Sequence, residues 1–170
     1  MSNLVTGLLN YAEVGKKRKL SKIDITKLVN DICLDLSVQI KEKQARIQIG
    51  ISPNIQGFEV ELRQLFQNLI SNALKFTSPN KPQIIKIGYK KLETEHQFSI
   101  EDNGIGIAEE QHSKIFEIFK RLNRRDAYEG TGIGLALCQR IVDMHGGKIW
   151  LESDFGKGST FYFTISDSLG

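Results

Sequence analysis

The sequence predicts an α+β fold: a two-layer α/β sandwich whose mixed, mostly antiparallel sheet of about five strands carries three main helices on one face. Three observations predict it. Helical and strand periodicities interleave along the chain. The last two strands are joined by the short turn Asp154-Phe155-Gly156-Lys157-Gly158, which makes them an antiparallel hairpin. With 40% hydrophobic residues in a chain of 170, one sizeable core can form, with little room for a second domain.

Residues 1–14 set Leu4, Leu8, Tyr11 and Ala12 at helical spacing, and the basic, turn-like 15–19 follows. The pair reads as the end of a longer helix with a linker; the alternative is an ordinary N-terminal helix packed on the domain. The division is therefore 1–20 and 21–170. Asp24 or Thr26 can cap a helix running to about Lys43, with Leu28, Ile32, Leu36 and Ile40 on one face. Residues 46–51 alternate as a strand. A helix over 59–76 is stopped by Ser78-Pro79. Strands over 84–92 and 97–101 come next, the second broken by the glycine-rich 102–106. A short helix is expected at 109–118, then a polar, basic loop to Gly130. A helix over 131–144 stops at Gly146-Gly147. Strands 148–153 and 160–165 complete the set.

Charge excludes little but something. The 23 basic and 20 acidic residues nearly balance at +3, and a nucleic-acid surface needs a denser basic stripe, so no nucleic-acid partner is expected. The exception is the cluster Lys120, Arg121, Arg124 and Arg125. Cys33 and Cys138 each sit in an apolar helical pattern, which favours buried reduced thiols; two cysteines are too few for a cysteine-built metal site. No apolar run reaches membrane-spanning length and no signal-peptide pattern precedes the first charged stretch. A cytoplasmic chain is expected, with a membrane-anchored parent left open.

Three segments carry chemistry. On the helix 59–76, at 100° per residue, Leu62, Phe66, Leu69, Ile70 and Ala73 share one arc. Asn68, Asn72, Lys75 and Phe76 share a second at its border. Two amide oxygens at i and i+4 beside a lysine and a ring suit a magnesium-bearing phosphate ligand, because magnesium takes oxygen donors. Two polar residues at a helix boundary is the alternative. Second, the strand ending at Asp102 places a carboxylate at a sheet edge, where it can accept from the amine of adenine. In the following Asn103-Gly104-Ile105-Gly106-Ile107, the glycines permit close backbone approach and positive φ. A plain tight turn is the alternative. Third, Gly130-Thr131-Gly132-Ile133-Gly134-Leu135-Ala136-Leu137 opens a helix with free N–H groups that attract an anion. It lacks both the leading strand of a dinucleotide fingerprint and the lysine of a P-loop.

Together and in order, these segments resemble the boxes of the superfamily that unites gyrase B, heat-shock chaperone, histidine kinase and mismatch-repair ATPases. The match to sensor histidine kinases is close. The asparagine box is 64–77, the first glycine box 102–107, the phenylalanine box 115–121, and the second glycine box 130–137, with the tail 145–163 also matching. The resemblance covers about 58–165 and implies the Bergerat fold.

It also implies roles. Asn72 would be the main protein ligand of Mg2+, with Asn68 supporting it. Lys75 would contact phosphate, Asn68 and Lys75 being the catalytic pair. Phe76 would border the adenine of ATP and Asp102 bind its amine, with Gly104, Gly106 and Ile107 shaping the pocket. Gly130, Thr131, Gly132, Ile133, Gly134 and Leu135 would offer donors to the phosphates, and Thr160 would reach the base through water. The loop 120–130 resembles an ATP lid from which Lys120, Arg121 and Arg124 could reach phosphate. Residues 1–20 resemble the end of a dimerisation and phosphotransfer hairpin, and none of His96, His112 or His145 lies in an acceptor motif; surface or helix-capping roles are expected for them. Implied partners are a histidine-bearing hairpin of the parent kinase and a response regulator receiver domain. The fragment is expected to be a monomer and the parent a homodimer. Two other readings stay open: an ATPase that drives conformational change, and a nucleotide-sensing module or anti-sigma-like serine kinase. The first needs a water-activating glutamate, and here Gln67 precedes Asn68, with Glu61 two turns upstream.

Overall fold

A computed structural model describes residues 3–16, 19–50, 53–117 and 134–169. Its central element is a five-stranded mixed sheet. In chain order the elements are α1 (Asn3–Glu13), β1 (Leu20–Asp24), α2 (Ile25–Asp35), α3 (Ser37–Glu42), β2 (Arg46–Ile49), β3 (Asn54–Phe58), α4 (Glu59–Lys75), β4 (Ile84–Lys91) and β5 (Glu95–Asp102). After them come α5 (Gly134–Met144), β6 (Ile149–Asp154) and β7 (Gly158–Ser166). The sheet order is β2-β4-β5-β7-β6. Only the β2–β4 pairing is parallel; the other three are antiparallel.

Alternation along the strands puts Ile85 and Ile87, Phe98 and Ile100, Phe161 and Phe163, and Ile149 on one buried face. Helix α4 lies on that face. Its fully buried Phe66 meets Phe98 and Phe163 edge-on at centroid distances of 5.5 and 5.2 Å. α4 lies between α2, which contributes Leu28, Val29 and Ile32, and α5, which contributes Cys138, Ile141 and Val142. Two contacts make α4 and α5 antiparallel: the Phe58 N–H donates to His145 Nε2 at 3.1 Å, and Cys138 Sγ lies 4.0 Å from the Leu65 carbonyl oxygen. α1 packs on α5, where the Arg140 guanidinium sits 4.8 Å over the Tyr11 ring, and Val14 just beyond α1 is buried in the core.

The structure adds a small sheet that periodicity did not reveal. β1 and β3 pair antiparallel from Leu20↔Phe58 to Asp24↔Asn54. Each is five residues long and buries chiefly one large side chain, Ile23 or Ile55, so neither shows a readable alternation. The helix expected from 24 to 43 is two helices. Asp24, not Thr26, caps the first, accepting the Lys27 N–H at 3.0 Å, and Leu36 breaks the run at φ −94°, ψ 12°. The helix expected at 109–118 is a single 3-10 turn, Glu109–Gln111, because only Ile115 of the described part is buried and no apolar stripe supports a longer one.

Candidate functional site

Asn68, Asn72, Lys75 and Phe76 form a half-buried stripe on α4, while Gln67 is exposed. Where α4 ends, Phe76 donates its N–H to Asn72 O at 3.1 Å, and its own carbonyl accepts from the Ile105 N–H at 3.1 Å. That bond joins the asparagine helix to the first glycine segment. Gly104 is what permits it, since a Cβ there would sit 1.9 Å from the Phe76 oxygen. Its φ is not in the left-handed region; space, rather than backbone freedom, requires glycine. Gly106 does take positive φ, +73°, and a Cβ on it would lie 2.1 Å from Asp154 O. Further ties hold the loop after α4: Gln83 Nε2 donates to Ala73 O at 2.8 Å, and Asn103 accepts the Ile84 N–H at 2.9 Å while donating to Pro82 O at 2.8 Å.

Asp102 ends β5 on the helix-bearing face, two residues beyond buried Ile100. Its Oδ1 accepts the Gly104 N–H at 2.9 Å. Burial pushes its carboxyl from 3.8 up to about 6, and the Glu101 charge adds to the rise; the N–H groups of Gly104 and Ser159 oppose it. A poorly solvated carboxylate of this kind gains much from a new hydrogen-bond donor.

Ser153 and Ser159 were not expected at this site. Register places Ser159 opposite both Asp102 and Ser153, whereas Thr160 lies opposite Glu101 and Glu152 on the other face of β7. The two serine hydroxyls are 2.8 Å apart, and Ser153 Oγ accepts the Ile107 N–H at 2.7 Å. The chain Ile107, Ser153, Ser159 thus fastens the glycine segment to the hairpin behind Asp102. Its signal was available: the two serines have matching parity across a predicted hairpin. An open cavity of about 710 Å³ is lined by Asp102, Ile107, Ser153, Phe155, Ser159 and Thr160 among others, with none of its lining from α4.

The second glycine box begins α5. The rungs His145–Phe58 and Cys138–Leu65 are antiparallel, so one turn back from Cys138 brings Gly134 level with Leu69, between Asn68 and Asn72 along α4. Leu135 follows, packed against the core. Lys120, Arg121, Arg124, Arg125, Gly130, Thr131, Gly132 and Ile133 lie outside the described residues. The asparagine stripe, the glycine segment with Asp102, and the start of α5 therefore border one region.

The histidines have ordinary roles. His145 is buried, with Nδ1 donating to Ile141 O at 2.8 Å and Nε2 accepting from Phe58, so it joins two helices besides capping one. His112 Nε2 pairs with Ile107 O at 2.9 Å, and His96 Nδ1 with the Tyr89 hydroxyl at 2.9 Å. Both cysteines are free.

A helix stripe of amides, a half-buried strand-end carboxylate and a helix begun at a glycine are the parts of a nucleotide-binding ATPase-type domain. Residues 57–169 match the family model of histidine kinase-, DNA gyrase B-, and HSP90-like ATPases, and the chain belongs to that family. It is 42% identical over 166 residues to phytochrome-like protein Cph1 of Synechocystis, covering 97% of this chain and 22% of Cph1. The chain thus spans about a fifth of the length of that curated relative. The catalytic domain of histidine kinase ThkA superposes with a TM-score of 0.74 at 25% identity, covering 88% of this chain and 99% of that domain. ThkA solved in complex with response regulator protein TrrA gives 0.76 at 25% identity, over 97% and 47% of the two chains. Full-length ShkA in complex with AMPPNP gives 0.82 at 27% identity, over 98% and 36%.

Proposed function

We propose that this chain is the ATP-binding catalytic domain of a cytoplasmic portion of a two-component sensor histidine kinase. It transfers the γ-phosphate of ATP to a histidine on a separate helical hairpin, for relay to a response regulator receiver domain. The observation that carries the reading is the bond between Phe76 O and the Ile105 N–H, with Gly104 beneath it, since it ties the end of the asparagine helix to the loop that follows Asp102. The similarity to ThkA and ShkA, one with a response regulator and one with an ATP analogue, supports the same reading. Among the described residues no helix is long and apolar enough to cross a membrane.

In this reading Asp102 accepts the adenine amine and Phe76 borders the ring, with Gly104, Gly106 and Ile107 forming the floor. Ser159, on Asp102's own face, takes the place expected of Thr160 as the candidate for the water-mediated contact to the base, because Thr160 lies on the other face of β7. Asn72 and Asn68 present hard amide oxygens on one half-buried stripe, a donor set that fits Mg2+, and Lys75 meets phosphate at the end of α4. When bound, the ion neutralises charge on the phosphates. Gly134 and Leu135 begin the anion-binding helix; Gly130 to Ile133 and the charges of Lys120, Arg121 and Arg124, which lie outside the described residues, are the further groups assigned to phosphate. Positioning and charge neutralisation provide most of such catalysis. The ATP-hydrolysing alternative lacks its base: Gln67 is exposed, and Glu61 is buried near His145 at the far end of α4.

The test is phosphotransfer from labelled ATP to a supplied histidine hairpin, with and without this chain. Acid-labile phosphate on the hairpin is expected; phosphate released to solvent instead would replace the kinase reading with the ATPase one. Calorimetry adds a site-level check, with Asn72→Ala expected to remove magnesium-dependent ATP binding.

A further inference from the structure

The first glycine segment, 103–107, belongs to no helix or strand, so its backbone is held by single bonds from its neighbours. Two of its residues have both peptide groups tied. Ile105 is held by backbone alone, its N–H donating to Phe76 O at 3.1 Å and its carbonyl accepting from the Gly156 N–H at 2.6 Å. Ile107 is held by two side chains. Its N–H donates to Ser153 Oγ at 2.7 Å, and its carbonyl lies 2.9 Å from His112 Nε2. A carbonyl oxygen only accepts, so the proton sits on Nε2 and the ring donates. Each end of this clamp is itself anchored. Ser153 Oγ donates to Gly158 O at 2.9 Å on the β6–β7 hairpin, and the His112 N–H donates to Glu109 O at 3.1 Å in the 3-10 turn. With both peptide planes around Ile107 fixed, its two backbone torsions and the direction of its side chain are fixed too. Ile107, His112, Ser153 and Asp102 line the same open cavity.

We propose that His112 is a positioning residue for adenine binding: from the turn after the first glycine box it grips the Ile107 carbonyl while Ser153 grips the N–H, and the pair hold that wall of the pocket against the base. The inference rests on the reading of Asp102 and Ile107 as part of the adenine pocket. The phosphates are assigned elsewhere, to α4 and the start of α5. Loosening Ile107 therefore weakens the hold on the base and spares the hold on phosphate.

The experiment uses the whole chain and reads affinity by calorimetry in Mg2+ for two probes, ATP and inorganic tripolyphosphate, which has no base. His112→Ala should lower ATP affinity about five-fold, the worth of one hydrogen bond, and leave tripolyphosphate affinity at the wild-type value. His112→Gln, which keeps an N–H donor at similar reach, should recover most of the ATP affinity. Ser153→Ala should show a loss of its own, and the double variant less than the product of the two, because both act through Ile107. A merely structural role would instead lower both affinities together. That result, multiplicative losses in the double variant, or unchanged ATP affinity in His112→Ala overturns the proposal alone. A wild type that binds ATP no more tightly than tripolyphosphate overturns the adenine reading and the proposal with it. If His112→Ala loses its cooperative melting transition, or tripolyphosphate binds too weakly to titrate, the wild-type chain still decides: adenosine, a base without phosphate, should shift the Ile107 amide and His112 ring resonances, and resonances that stay in place overturn the proposal.

Discussion

Asp102 shows how a single side chain can set a condition on binding. Its carboxyl is pushed up to about 6 by burial, so near neutrality it is mostly ionised but poorly solvated. The amine of adenine would supply the donor that the carboxylate lacks, which favours the ionised form in the complex. ATP binding should therefore release a proton near pH 6, and affinity should fall as pH drops from 7 to 5. The stability effect has the opposite sign. Because the folded value is raised, the contribution to stability is complete below about 4 and is lost as pH rises through about 6. Isothermal titration across pH 5–8 measures the first effect, and Asp102→Asn should flatten the profile while weakening binding. Gly104 sets a steric condition at the same place. Gly104→Ala forces a methyl against the Phe76 carbonyl, so α4's end or the glycine segment must move. An overpacking cost of about 1–3 kcal/mol is expected in denaturant melts, together with weaker ATP binding.

At the scale of elements, the antiparallel pairing of α4 with α5 sets the start of α5 beside the asparagine stripe, and His145 holds its far end. The ring is neutral by necessity, because Nδ1 donates to Ile141 O and Nε2 accepts the Phe58 N–H. Burial holds its pKa below the ordinary histidine value, with the Ile141 carbonyl and the Glu61 charge opposing. A depressed value means the stabilisation is present above the unfolded value of 6.5 and is lost as pH falls through the folded one. The melting temperature of wild type should therefore fall more steeply between pH 7 and pH 5 than that of His145→Gln, which cannot gain a proton; equal slopes would show that the ring does not titrate with folding. The boxes on these helices could be read in the sequence because residues on one helix face, glycines and a strand-end aspartate leave local signatures. β1 and β3 could not, since one buried isoleucine each gives no period. Nor could the preference for Ser159 over Thr160 beside Asp102, which depends on register across two strands rather than on local pattern. Of the close approach and the positive φ expected of the glycines, Gly104 shows the close approach, and its neighbour, the Phe76 carbonyl, is visible only in the fold.

For the whole molecule, the question is where the self-sufficient unit starts. A boundary at residue 20 cuts within what the core uses: Val14 is buried, and β1 begins at Leu20 to pair with β3 beside the start of α4. α1 is different. It exposes Val5, Leu8 and Leu9, and its principal tie to the domain is Tyr11 under Arg140, a contact of about 1 kcal/mol at a half-exposed site. Helices that leave an apolar stripe open contribute little to the fold they flank. Removing residues 1–13 should therefore leave a chain that melts cooperatively, its midpoint lower by about 2–4 °C for each kcal/mol lost. Its ATP affinity should be unchanged, because none of the proposed ligand groups belongs to α1. Removing residues 1–19 takes Val14 as well and should lower the midpoint further. Calorimetric scans of both truncations read this directly, and a loss of ATP binding on removing 1–13 alone would mean that α1 belongs to the nucleotide-binding unit.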